Sequence, residues 1–209
     1  MEELARLRSD EELYFQNRGL VEIADVLDKN RVTFWLGGGT LLGAIRDKDF
    51  IQWDWDVECD LRSEDVQNII NELVQEFQTA DFELSKIDLS FDNLKIKIKK
   101  YGSIYELLAW RLDGEFRRRK SYKLPKRFFE RREEIEFRGR RYYVLAPSEE
   151  VLTWMYGDWR VPKQTSDENL YLSDEIWNDS NWRRRLIRVK GHVSRRIRKT
   201  IDLIRRISE

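Results

Sequence analysis

Four carboxylates stand at every second position of one short stretch: Asp54, Asp56, Glu58 and Asp60, separated by Trp55, Val57 and Cys59. A period of two is the period of a β-strand, so these side chains are expected on one face of a strand over residues 51–61. Four neighbouring acidic groups repel one another, and a cation among them offsets that cost. Clustered carboxylate oxygens suit a hard ion, which makes Asp54, Asp56 and Glu58 candidate ligands for Mg²⁺ or Mn²⁺. A little upstream, Gly37, Gly38 and Gly39 precede Thr40 and a short helix expected over residues 41–46. A helix start that follows bare backbone presents unpaired N–H groups to an anion. Gly38, Gly39 and Thr40 are therefore candidate phosphate contacts, and Arg46 is a candidate bidentate grip on a phosphate. Plainer readings stand beside these: three glycines also make a tight turn, and Arg46 also suits an exposed helix end. The spacing from Gly38 to Gly43 fits a Walker loop, but Ala44 and Ile45 occupy the positions of Lys and Ser/Thr, so that loop is excluded.

A fifth carboxylate, Glu106, lies among Ile104, Tyr105, Leu107, Leu108 and Ala109 on a strand expected over residues 104–110. A lone Glu on a strand is most simply a solvated edge residue. If the strand is buried, an unpaired carboxylate there is costly. Glu106 is then expected beside Asp54 and Asp56, as a metal ligand or as a base. Its hairpin partner, residues 94–99, alternates strictly and puts Lys95, Lys97 and Lys99 on one face; Lys97 is a further phosphate candidate.

Composition narrows the chemistry. The 209 residues include one His, His192, and one Cys, Cys59, which excludes a His- or Cys-based zinc site, a Ser-His-Asp triad and an internal disulfide. A general base here is a carboxylate. Hydrophobic residues at 41% and aromatic residues at 12% support a folded core. No apolar run reaches the roughly 20 residues of a membrane span, and the N-terminal residues do not read as a signal peptide, so a cytoplasmic location is expected. The formal charge of zero hides an asymmetry. Residues 181–209 hold nine Arg and two Lys against Asp202 and Glu209, a net +9, which leaves −9 on the remainder.

The elements that must position these groups follow in order. A helix is expected over residues 3–29, a strand over 32–36, the glycine turn and the acidic strand. A helix opening at Ser63 comes next, with Val66, Ile69, Ile70, Leu73, Val74 and Phe77 on its buried face. Residues 82–84 read as a short strand and residues 111–132 as an irregular, highly charged excursion. Residues 135–144 form a hairpin turning at Arg138-Gly139, and Ser148 caps a helix that Gly157 stops. Residues 166–181 read as a polar linker, and residues 182–207 as a basic amphipathic helix.

The stretch WLGGGTLLGAIRDKDFIQWDWDVECDL resembles the signature of the LicD family, which includes phosphocholine transferases of bacterial surface glycans together with fukutin and fukutin-related protein. GSIYELLAWRLDG and FRGRRYYVLAPSEEVLTWMYGDWRVP resemble further segments of that family, in the same order. The resemblance covers roughly residues 33–162, with gaps. It implies a nucleotidyltransferase-like α+β fold, a mixed β-sheet flanked by helices, as a catalytic domain over residues 1–165, with a linker and basic helix over 166–209. Glu58 and Glu106 stand where the family usually has Asp, which lengthens each side chain by one methylene.

The resemblance implies Mg²⁺- or Mn²⁺-dependent transfer of a phospho-alcohol, such as phosphocholine, phosphoribitol or phosphoglycerol, from a CDP-alcohol to a hydroxyl of a glycan. Asp54, Asp56 and Glu106 would be catalytic. Gly38, Gly39, Thr40, Arg46 and Lys97 would hold the phosphates, and Asp54, Asp56, Glu58 and Glu106 the metal. Two alternatives remain at this level: transfer of a nucleotide from an NTP to a small molecule or protein, and an inactive site on a scaffold. The basic tail can pack on its own acidic body, lie on an anionic membrane that carries a lipid-linked acceptor, or bind nucleic acid, the least favoured of the three.

Overall fold

A computed structural model describes residues 6–165 and 167–177. The expected C-terminal basic helix lies outside the described residues. What is described is an α+β structure built on a mixed sheet, with helices α1 to α6 and strands β1 to β9.

Helix α1 (Asp10–Lys29) starts later than the expected residue 3, and residues 6–9 are not helical. Ser9 fixes the start: its Oγ accepts from Glu12 N, and Glu12 Oε2 accepts from Ser9 N, a reciprocal capping box. β1 (Phe34–Leu36) leads into α2 (Gly38–Arg46). The expected glycine turn shrinks to Gly37, and the helix begins within the glycines. β2 (Asp56–Arg62) is shorter than the expected 51–61, because Asp54 N closes a turn on Ile51 O. Asp54 therefore precedes the strand and is not part of it. The helix expected from Ser63 comes in two pieces, α3 (Ser63–Val66) and α4 (Ile70–Thr79). β3 (Glu83–Asp88), β4 (Lys95–Lys100) and β5 (Ser103–Asp113) form a meander.

The stretch read as an irregular excursion is ordered. β5 turns at Gly114 and returns as β6 (Phe116–Arg119), followed by β7 (Tyr122–Pro125) and a 3-10 turn, Lys126–Phe129. Its charge hid the pattern, because arginine guanidinium groups pack on aromatic rings: that of Arg117 lies over Phe129 at 5.1 Å and that of Arg118 over Phe116 at 5.5 Å. β8 (Arg132–Phe137) and β9 (Arg140–Leu145) form the hairpin expected at Arg138-Gly139, both of which have positive φ. Ser148 is the first residue of α5 (Ser148–Tyr156) and not its cap; its N and Oγ both donate to Glu133 at 2.9 Å. Gly157 ends the helix at φ +67°. The supposed polar linker packs on the body as far as it is described. It contains α6 (Glu168–Tyr171), Lys123 N donates to Ile176 O, and Leu172 and Ile176 are buried.

The sheet runs β3-β4-β5-β2-β1-β9-β8, with the β6-β7 ribbon attached to β5. β2 pairs parallel with β5 and β1 parallel with β9; the remaining pairs are antiparallel. α1 and α4 cover one face, where Val57, Cys59, Ile96, Ile98, Tyr105 and Leu107 are all buried. There Gly19 gives room to Tyr105, whose hydroxyl donates to Gln16 O. α2 and α5 pack by the other face, which bears the alternate residues of β2 and β5. Alternation thus separates the core from the carboxylates residue by residue. Among the described residues, no helix is long and apolar enough to cross a membrane.

Candidate active site

Three of the carboxylates, Asp54, Glu58 and Asp60, each lie against a specific glycine. A Cβ on Gly38 would overlap the Glu58 carboxylate, and one on Gly39 would overlap Asp54 Oδ2. A Cβ on Gly37 would stand 2.6 Å from Asp60 Cγ. The glycine run is thus more than a turn: it leaves the room in which three acidic side chains lie. Gly38 also needs its φ of +46°. Gly39 N donates to Glu58 Oε2 at 2.6 Å, and Glu58 N donates to Thr40 Oγ1 at 2.9 Å. The start of α2 and strand β2 are therefore stitched together through Glu58.

Asp60, only 2% exposed, accepts from Trp110 Nε1 at 2.7 Å, and its Oδ2 is buried with no hydrogen-bond partner among the described residues. Burial pushes the Asp60 carboxyl up to about 6, against the pull of Trp110 and Arg119. Burial, then Asp56 and Glu58, push Asp54 up to about 9. Burial, then Asp56, push Glu58 up to about 8, against the Gly39 N–H.

Glu106 pairs with Glu58 across the parallel β2-β5 register, so both point to the same face. It lines the same cavity as Asp54 and Asp56, about 840 Å³ in volume. The charge that compensates it differs from the expected one. Lys95 Nζ lies 2.5 Å from Glu106 Oε2 and Lys97 Nζ 3.0 Å from Oε1. Burial raises the Glu106 carboxyl, but the two ammonium groups prevail and hold it below the usual range. Lys97 is thereby engaged and does not line the cavity, whereas Lys95 does. Arg46 lines the cavity too, but Asp47 takes its guanidinium bidentately, Nε to Oδ1 at 2.8 Å and Nη2 to Oδ2 at 2.7 Å.

The structure therefore brings Gly38, Gly39, Arg46, Asp54, Asp56, Glu58 and Glu106 to one cavity and leaves Lys97 and Thr40 outside its lining, Thr40 because its Oγ1 is turned to Glu58 N. Sequence reasoning missed the far wall. Arg119 and Lys120 come from the β6-β7 ribbon, and Tyr156, Trp159 and Lys163 from α5 and the segment after it. The run Phe116-Arg117-Arg118-Arg119 carried no period to single out Arg119. Trp159 lay inside a stretch already quoted for its resemblance, and could have been picked from it.

Residues 31–148 match the family described as LicD/FKTN/FKRP, nucleotidyltransferase domain, and the chain belongs to that family. It is 48% identical over 46 residues to ribitol 5-phosphate transferase FKRP of Homo sapiens and of Mus musculus, which is 22% of this chain and 9% of that protein. It is 39% identical over 49 residues to lipopolysaccharide cholinephosphotransferase LicD of Haemophilus influenzae, 23% of this chain and 18% of that one. The chain thus aligns with less than a fifth of the length of these curated relatives. Among solved structures it is similar to the lincosamide antibiotic adenylyltransferase LnuA bound to lincomycin, at 13% identity and a TM-score of 0.45, over 70% of this chain and 86% of that one. It is also similar to the antibiotic-resistance factor ANT(2'')-Ia, at 14% identity and a TM-score of 0.49, over 74% and 78% of the two chains.

Proposed function

We propose that this chain is a divalent-cation-dependent transferase that moves a phospho-alcohol from a CDP-alcohol to a glycan hydroxyl and releases CMP. The observation that carries this reading is the seating of Asp54 and Glu58 on the glycines of the α2 start inside an 840 Å³ cavity, in a chain of this family. The names of the relatives, a ribitol 5-phosphate transferase and a cholinephosphotransferase, support the phospho-alcohol.

The residues present suit a hard dication. Asp54, Asp56 and Glu58 offer only oxygen; burial first, and then the charge of their acidic neighbours, pushes Asp54 and Glu58 above the usual carboxyl range, and a dication relieves both costs. Among the described residues, no three such groups form a ready-made metal cage. When bound, such an ion neutralises the diphosphate and the departing oxygen.

The chain's own residues do the rest. Gly39 N–H holds Glu58, which keeps the carboxylate wall against α2. Lys95 and Lys97 keep Glu106 ionised, and a carboxylate held below its usual range is a weak base but a good hydrogen-bond acceptor. We assign Glu106 to orienting the acceptor hydroxyl. Trp159, 5% exposed, helps close the cavity against water.

The test is a donor screen with Mg²⁺: CDP-choline, CDP-ribitol, CDP-glycerol and the four NTPs. CMP release that depends on a glycan acceptor is expected. Diphosphate release from an NTP, with no CMP from any CDP-alcohol, refutes the reading.

A further inference from the structure

The phosphate contacts expected from the sequence are taken up internally. Gly39 N–H and Thr40 Oγ1 both serve Glu58, Lys97 serves Glu106, and Asp47 neutralises Arg46. Of the cations that line the cavity, Lys95 is also paired, with Glu106. Arg119, Lys120 and Lys163 are different: among the described residues none of them makes an ion pair, and all three line the cavity.

Arg119 is the most firmly placed of these. Its guanidinium lies 5.4 Å from the ring of Trp110 and 5.4 Å from that of Tyr122. Tyr122 is itself fixed, its hydroxyl donating to Glu168 Oε1 at 2.8 Å. Among the described residues the polar contact of Arg119 is with a neutral group, Nη1 to Asn93 Oδ1 at 3.3 Å, and its Nε is buried without a hydrogen-bond partner. Two aromatic faces hold a guanidinium flat without neutralising it. Its charge is felt at Glu58 and Asp60, so it faces the carboxylate wall. Carboxylates on one side and an unneutralised planar cation on the other suit a ligand that carries a metal ion on one flank and bare anionic oxygens on the next.

We propose that Arg119, supported by Lys120 and Lys163, is the diphosphate grip of this site, in place of the glycine turn and Arg46. The inference deepens the transferase reading and takes from it only that the donor carries a diphosphate. It holds whether the donor is a CDP-alcohol or an NTP.

The experiment is calorimetric titration of the full chain with inorganic diphosphate and Mg²⁺. Charge-assisted contacts to a phosphate set the scale, and Arg119→Met should weaken binding by at least about tenfold. Lys120→Met and Lys163→Met should each cost less than Arg119→Met, and so should Arg46→Met. Arg119→Lys keeps a charge and a packed stem but loses the fork, and should weaken binding by about threefold or more. It decides the matter if Arg119→Met does not fold. Wild-type affinity in Arg119→Lys, a greater loss in Arg46→Met than in Arg119→Met, or no diphosphate binding by the wild type overturns the proposal. Because the probe contains no nucleoside, failure here leaves the CMP-release result untouched, and failure of the donor screen leaves this one untouched.

Discussion

Replacing Gly38 with alanine tests the idea that the glycine run exists to receive carboxylates. Two costs follow from the structure. At φ +46° a Cβ meets the backbone, which for an L-residue costs about 1–2 kcal/mol. The same Cβ occupies the space of the Glu58 carboxylate, so that side chain must leave. Its hydrogen bond from Gly39 N is then lost. Losing that bond costs about 0.5–1.5 kcal/mol. The total is about 1.5–3.5 kcal/mol, which for a chain of this size lowers Tm by about 3–14 °C. Urea denaturation of four proteins measures it: wild type, Gly38→Ala, Glu58→Ala and the double variant. In the Glu58→Ala background the alanine should cost only the backbone part. A coupling energy of about 1 kcal/mol between the two sites is therefore expected. If Gly38→Ala costs the same in both backgrounds, the carboxylate is not what the glycine accommodates, and the reasoning fails.

Trp110→Phe removes the donor to Asp60 and leaves a carboxyl at 2% exposure with neither oxygen bonded; urea denaturation should show a loss of about 1–3 kcal/mol. Arg8→Met should lower stability in the same assay, because the guanidinium, 4% exposed and without a hydrogen-bond partner among the described residues, lies 4.9 Å from the Trp55 ring and offsets the charge of Asp54 and Asp56; unchanged or raised stability refutes that role. Asp54→Asn and Asp56→Asn should each abolish Mg²⁺-dependent CDP binding while keeping Tm at or above that of wild type, since each removes repulsion; calorimetry and a thermal scan read both halves. Cys59 is 1% exposed and burial pushes its thiol up, so a disulfide reagent should label it only as fast as the chain unfolds; rapid labelling of the native protein disproves the packing described for β2.

Legibility in the sequence tracked how locally each feature is determined. The period of two placed Asp56, Glu58 and Asp60 on one face because strand geometry alone enforces it, and the hairpin at Arg138-Gly139 was readable because a two-residue turn demands those backbone angles. The capping box at Ser9 and Glu12 is equally local, but the apolar period that continues upstream to Leu4 masks it in the sequence. What was not readable depended on partners far apart in the chain. Nothing near Glu106 says that Lys95 and Lys97 will neutralise it, because that pairing needs the β4-β5 register. Nothing in Phe116-Arg117-Arg118-Arg119 says which arginine will face the cavity. That choice is made by Trp110 and Tyr122, one from β5 and one from β7, which close around Arg119 only once the ribbon has formed. The acidic half of the site is thus written in one local run, from the glycines to Asp60, whereas its basic half is assembled by tertiary structure. A local reading of the acidic signature therefore cannot name the cations that face it, because Arg119, Lys120 and Lys163 reach the cavity from segments distant in sequence.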